Sequence, residues 1–194
     1  MKLYILRHED RTSDCSFFSP LTKEGLINSS KLIKNLEECE IDVIFSSPFI
    51  RTLQTIDQYV TKNNLKINIE YGLSEIYNQD IIAKKSVGLE LPEYIAQSFN
   101  YNPAYESIIK YNQISYPENI NHVIKRTKRV LRKIFNDYYN SNYNIILVTH
   151  QSLCCSVLNI VNKYQKIDAD IINNYDRGKL SLIYDNCWLY KPIN

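Results

Sequence analysis

Lys2-Leu3-Tyr4-Ile5-Leu6-Arg7-His8-Glu9-Asp10-Arg11 runs from apolar to charged within ten residues. Leu3, Ile5 and Leu6 read as a short buried strand, and its carboxyl end delivers a guanidinium and an imidazole side by side. In open α/β sheets ligands gather at the carboxyl ends of strands. The planar fork of an arginine suits phosphate oxygens, and a histidine among cations serves as a nucleophile toward an electrophilic phosphorus. Taken alone, Arg7-His8 reads more readily as an ordinary solvated strand end. The rest of the chain changes that reading.

Working outward, Thr22 stands as an N-cap before an amphipathic helix at about 23–38, with Leu26, Ser29/Ser30, Ile33 and Leu36 on its inner side. Gly25 in its first turn costs about 1 kcal/mol against alanine, and a close backbone approach would explain its presence. Asp42 to Phe45 is a second short strand. It ends in Ser46-Ser47-Pro48, which caps and starts a helix with Arg51 near its beginning and Phe49, Leu53, Ile56, Tyr59 and Val60 inward. Leu65, Ile67 and Ile69 alternate with polar residues, as a strand with one wet face does. A long helix spans Glu118 to about Tyr139, with Ile120, Val123, Thr127, Val130, Leu131, Ile134 and Phe135 inward. Lys125, Arg126, Lys128, Arg129, Arg132 and Lys133 fall on its outer, solvated face. Tyr143 to Thr149 is a near-continuous apolar run, hence a central strand. It ends at His150, and a helix follows from Gln151 to Val161. Leu180–Tyr184 and Trp188–Tyr190 are candidate edge strands.

Strands alternating with helices give the α/β class, with a mostly parallel central sheet between two helical layers in a three-layer α/β/α sandwich. The 194 residues suit one domain, 1–194. An irregular insertion at about 71–117, carrying Pro92, Pro103 and Pro117, would lie over a site. Its Tyr77, Tyr94, Phe99, Tyr101 and Tyr105 more commonly anchor such a loop to the core than line a pocket.

Composition narrows the function classes. A net charge of +2 makes no case for nucleic acid or membrane. Five cysteines (Cys15, Cys39, Cys154, Cys155, Cys187) form no C-x-x-C pair and no even framework, which fits a reduced compartment. No apolar run is long enough to cross a bilayer. A cytoplasmic protein is the expectation. Oligomeric state is not legible in the sequence.

Two of the three histidines, His8 and His150, terminate predicted strands, and a parallel sheet brings such ends to one edge. Arg7, Arg51, the secondary candidate Arg11 and the amide of Gln151 at a helix N-terminus would join them in an anion site. Two arginines in that cluster would repel a metal cation, so no metal and no cofactor is called for.

These residues resemble the histidine phosphatase superfamily, also called phosphoglycerate mutase-like. Leu6-Arg7-His8 resembles its L-x-R-H-G signature, and Leu21-Thr22-Lys23-Glu24-Gly25 its L-T-x-x-G helix start. Ser46 to Thr55 resembles S-S-P-x-x-R-x-x-Q-T, Leu73-Ser74-Glu75 its L-x-E segment, and Val148-Thr149-His150 its second histidine. The matches keep the family's order over residues 3 to about 156.

The resemblance implies a phosphoglycerate mutase-like fold and a metal-independent phosphatase in which His8 carries a phosphohistidine. Arg7, Arg51 and His150 would bind the phosphoryl oxygens, and Glu75 would be the general acid. The family usually has glycine where Glu9 stands, and small residues where Gln151-Ser152 stand. Arg11 resembles a second pocket arginine in one branch of the family. Glu9 motivates the alternative of a catalytically weak phosphate-binding protein. A phosphoglycerate mutase-type transferase is the other alternative, and the short chain speaks against it. The insertion has few cations (Lys84, Lys85, Lys110) and much tyrosine. A small phosphorylated substrate or a phosphotyrosine-like ester is the expected partner, rather than a polyphosphorylated one.

Overall fold

The computed structural model describes residues 1–14, 16–78, 90–163 and 175–185. Five strands form one sheet in the order β3-β2-β4-β1-β5. They are β1 (Lys2–Arg7), β2 (Val43–Ser46), β3 (Ile67–Ile69), β4 (Asn144–Thr149) and β5 (Leu180–Asp185). All pairings are parallel except that of β5 with β1. The helices are α1 (Lys23–Glu38), α2 (Ile50–Lys62), the short α3 (Glu93–Ala96), α4 (Ile120–Tyr138) and α5 (Gln151–Val161).

Side chains alternate across the strands and split the core in two. Leu3, Ile5, Phe45, Ile145 and Leu147 pack with Val130, Leu131 and Ile134 of α4 and Val157 and Leu158 of α5. Tyr4, Leu6, Ile44, Ile146 and Val148 pack with Leu32 and Leu36 of α1 and Leu53, Ile56 and Val60 of α2. The result is the expected three-layer sandwich around a mostly parallel sheet.

The expected region 71–117 contains two 3-10 turns, Tyr71–Leu73 and Tyr111–Gln113, with α3 between them. Its aromatics act mainly as anchors. Tyr77 is fully buried and stacks on Phe49 with centroids 5.9 Å apart, while Tyr94 is 73% exposed and anchors nothing. Among the described residues no helix is long and apolar enough to cross a membrane. The Trp188–Tyr190 strand, Lys84, Lys85, Cys15 and Cys187 lie outside the described residues.

Several local expectations are corrected. Helix α1 buries Gly25, Ser29, Leu32 and Leu36, whereas Leu26 is exposed. The stripe is set by Gly25, because a Cβ there would collide with the main-chain carbonyl of Asp10. Thr22 does cap the helix, accepting from the Gly25 amide at 3.0 Å. Ile120 at the start of α4 is exposed. The helix after Ser46-Ser47-Pro48 starts at Ile50 with Phe49, which has no capping side chain, as its first flank, and the Ser47 hydroxyl lies 2.8 Å from His150 Nε2 while accepting from the Phe49 amide at 3.4 Å.

Gly25→Ala is therefore expected to destabilise by about 1–3 kcal/mol through overpacking, although alanine is the better helix former. A thermal melt checks this. An unchanged or higher midpoint would mean the loop carrying His8 moves aside freely.

Candidate active site

The sheet register builds the site. Arg7 pairs with Thr149 across β1 and β4, and the His8 amide donates to the Thr149 carbonyl at 3.0 Å. His8 and His150 therefore leave adjacent strands at the same level, with ring centroids 5.1 Å apart and planes at 64°. The Ser47 amide donates to the Val148 carbonyl at 3.0 Å, and this continues the same edge into α2, where Arg51 stands in the first turn.

His8 is almost fully buried, and its Nδ1 lies 2.6 Å from the Glu9 carbonyl oxygen. A carbonyl only accepts, so Nδ1 carries the proton and Nε2 keeps its lone pair. Burial, and then the positive charge of Arg51, Arg7 and Arg11, hold the imidazole well below its ordinary pKa, against the opposing pull of the Glu9 carbonyl. The ring is neutral, tethered and surrounded by cations.

His150 is fully buried between Phe49, at 4.7 Å, and His8. Its Nε2 is engaged by Ser47 Oγ, while Nδ1 has no hydrogen-bond partner among the described residues and lies 4.0 Å from Glu75 Oε2. Burial, and then the charges of Arg51, His8, Arg126 and Arg7, hold it well below its usual pKa.

Arg51 is 2% exposed, with its guanidinium carbon 4.4 Å from the Phe49 ring centroid and Nη1 donating to the Ser16 carbonyl at 2.9 Å. Arg7 donates to the Tyr175 carbonyl at 2.6 Å. Arg11 donates to the carbonyl of its neighbour Thr12 at 2.7 Å, so its guanidinium is turned along its own loop, although its charge still reaches His8. The side chain of Gln151 is exposed. What it offers the site is its amide, at the first position of α5, where amides have no intrahelical partner.

Glu75 follows the 3-10 turn at Tyr71–Leu73, and its side chain is 12% exposed. Oε1 accepts from the Ile76 amide at 2.9 Å and contacts the hydroxyl of Ser152. A carboxyl group thus faces the second histidine from across the site. Glu9 is turned away onto the C-terminal segment. Its carboxyl lies against Gly178, which has φ +65° and leaves no room for a Cβ. The Glu9 amide donates to Thr55 Oγ1 at 3.1 Å. Desolvation raises the Glu9 pKa.

Several positioning groups escaped the sequence reading. Thr55 ties the His8 loop to α2, Thr149 donates to the Leu73 carbonyl at 2.6 Å, and Ser47 holds His150. Glu70 is fully buried, accepting from the amides of Gly72, Ile108 and Ile109 and from the Tyr105 hydroxyl. Arg126, expected on the solvated face, is 5% exposed and paired with buried Glu118. Its position three residues after Val123 and four before Val130 is the signal that places it inward. Among the described residues no group of three or more His, Cys, Asp or Glu side chains is placed to hold a metal ion.

No curated protein matches the chain. Among solved structures it is similar to the ecdysone phosphate phosphatase of Bombix mori in complex with tungstate (TM-score 0.73, 14% identity, 98% of this chain and 91% of that one). It is also similar to the alpha-ribazole phosphatase of Shigella flexneri (0.64, 18%, 96% and 92%). A third is a mycobacterial glucosyl-3-phosphoglycerate phosphatase complexed with VO3 (0.63, 15%, 92% and 88%). At such identities the likeness is one of fold. The model of the histidine phosphatase superfamily (branch 1) matches residues 14–183, and with that span of the sequence accounted for, the chain belongs to this superfamily.

Proposed function

We propose that this protein is a phosphomonoesterase working through a phosphohistidine on His8, without a metal or other cofactor. The observation that carries the reading is the state of His8, a neutral ring whose Nδ1–H is tied to the Glu9 carbonyl while Arg51 and Arg7 stand close enough to depress its pKa. Nε2 attacks phosphorus, and the P–N bond forms as the P–O bond to the leaving group breaks. The negative charge spreading over the phosphoryl oxygens meets Arg7, Arg51 and the amide of Gln151, which is the electrostatic stabilisation phosphoryl transfer relies on. Arg11, with its guanidinium turned along its own loop, adds positive charge to the site from further off. Glu75 protonates the leaving oxygen. Its carboxylate then takes a proton from water as that water attacks phosphorus, the P–N bond breaks, and inorganic phosphate leaves.

The weak-binder alternative rested on Glu9, and the turn of its carboxyl onto Gly178 removes that motive. Three similar folds are phosphatases of phosphomonoesters with unrelated organic parts. This supports a small phosphorylated substrate, or a phosphotyrosine-like ester, for the present chain. Its three described cysteines are free thiols, which supports the cytoplasm as its place of action.

The test is alkali-quenched burst kinetics on p-nitrophenyl phosphate with a chelator present. A burst of nitrophenolate is expected, matched by a base-stable, acid-labile phosphoprotein. Steady turnover with no phosphoprotein, or turnover abolished by the chelator, would overturn the proposal.

A further inference from the structure

We infer that Arg126, held by Glu118, is the positioning residue that sets the orientation of Glu75. The inference rests on the general-acid reading of Glu75 given above and asks what holds that carboxyl in place.

Arg126 projects from α4 into the interior, and four hydrogen bonds use its fork. Nε and Nη2 donate to Glu118 Oε1 and Oε2, both at 2.9 Å. Nη1 donates to the Gly72 carbonyl at 2.7 Å, and Nη2 also donates to the carbonyl of Glu75 itself at 3.1 Å. Glu118 completes the frame from the same helix end. Its Oε2 accepts from the Tyr77 amide at 3.0 Å, and its own amide donates to the Tyr77 carbonyl at 2.6 Å.

The stretch Gly72–Tyr77 is thus fixed through its main chain on both sides of Glu75, with Thr149 on the Leu73 carbonyl and Glu70 on the Gly72 amide. The peptide plane after Glu75 fixes where Cα–Cβ points, and so where the carboxyl meets Ser152 and His150. A burial this deep demands a reason. The side chains are 5% and 1% exposed, and a buried ion pair is weak evidence for stability because desolvation offsets the attraction. What the guanidinium supplies, and an apolar side chain cannot, is a set of donors in one plane aimed at two specific carbonyls.

Gly72 fits the same frame. A Cβ there would run into Val130 of α4 and Ile109, so the turn leading to Glu75 lies flush against the helix that carries Arg126.

The test uses two replacements of the clamp with Glu75→Gln as a reference. Arg126→Lys keeps the charge opposite Glu118 but loses the fork to the two carbonyls. The double change Glu118→Leu with Arg126→Met replaces the pair by apolar groups of similar size, which interiors tolerate. For each variant kcat/KM is measured on p-nitrophenyl phosphate, whose leaving group needs little protonation, and on an alkyl phosphate, whose leaving group needs a proton. Thermal melts report folding separately.

Both replacements are expected to lower kcat/KM on the alkyl ester by roughly 10- to 100-fold more than on the nitrophenyl ester, a part of the roughly 10²- to 10⁴-fold that a general acid contributes, since the carboxyl is misplaced and not removed. Equal losses on both esters, or none, with Glu75→Gln still selective for the alkyl ester, would sink the positioning role and leave the acid in place. A Glu75→Gln enzyme with equal losses on both esters would remove the acid assignment and the inference together.

Discussion

His8→Ala is expected to abolish the phosphoprotein and to lower turnover of p-nitrophenyl phosphate by about 10⁴-fold or more, the scale on which loss of a nucleophile acts. The argument is geometric before it is chemical. The ring is held by one tether, Nδ1–H to the Glu9 carbonyl at 2.6 Å, which leaves Nε2 its lone pair, whereas the neighbouring neutral imidazole of His150 has its Nε2 engaged by Ser47 Oγ. Removing the imidazole leaves Arg7, Arg51 and the amides of α5 in place, so the anion site survives. Vanadate is therefore expected to bind the variant within about tenfold of the wild-type affinity, a loss of no more than about 1.4 kcal/mol. The space left beside His150 matches the group removed, so free imidazole is expected to restore part of the turnover. Turnover that persists at the wild-type rate in the folded variant would remove His8 from the reaction.

How much of this could be read from residues alone depends on which force fixes each group. The strand ends were legible because apolar runs ending in Arg7-His8 and Thr149-His150 follow the simple rule of a buried parallel sheet. The register then brings the two imidazoles together with no further information. Arg126 was misread because a row of cations on α4 resembles a solvated face. Burial there is decided by Glu118, eight residues earlier and two turns away. The inner stripe of α1 was displaced by a contact with the Asp10 carbonyl that no periodicity records. Glu70 directly follows the alternating Leu65, Ile67 and Ile69, where nothing local signals burial, whereas four donors from the insertion satisfy it in the interior. In each case the error concerned a contact from outside the element itself, which hydrophobic periodicity does not record.

Arg51 carries the second large effect, and its sign can be worked out. Arg51→Met is expected to weaken vanadate and phosphate binding by about 2–4 kcal/mol, roughly 30- to 1,000-fold, since one charged partner of a desolvated anion is lost. The same change acts on both histidines. After burial, Arg51 is the leading charge that depresses the pKa of His8 and of His150. A positive neighbour disfavours a second positive charge, so its removal lets both rings take up a proton at higher pH. The folded-state pKa of His8 is expected to rise toward its ordinary 6.5. The neutral nucleophile is then lost as pH falls through a range where the wild type still keeps it. An NMR titration of the His8 ring in the free protein reads this directly, without the ionisation of a substrate. Arg51→Lys supplies the contrast. The ammonium keeps the positive charge, so the pKa is expected to stay depressed, while the planar fork is lost and affinity recovers only in part. A His8 titration unmoved in Arg51→Met would mean that burial, with Arg7 and Arg11, keeps the ring neutral without Arg51. Arg51 would then serve the phosphoryl group and not the nucleophile.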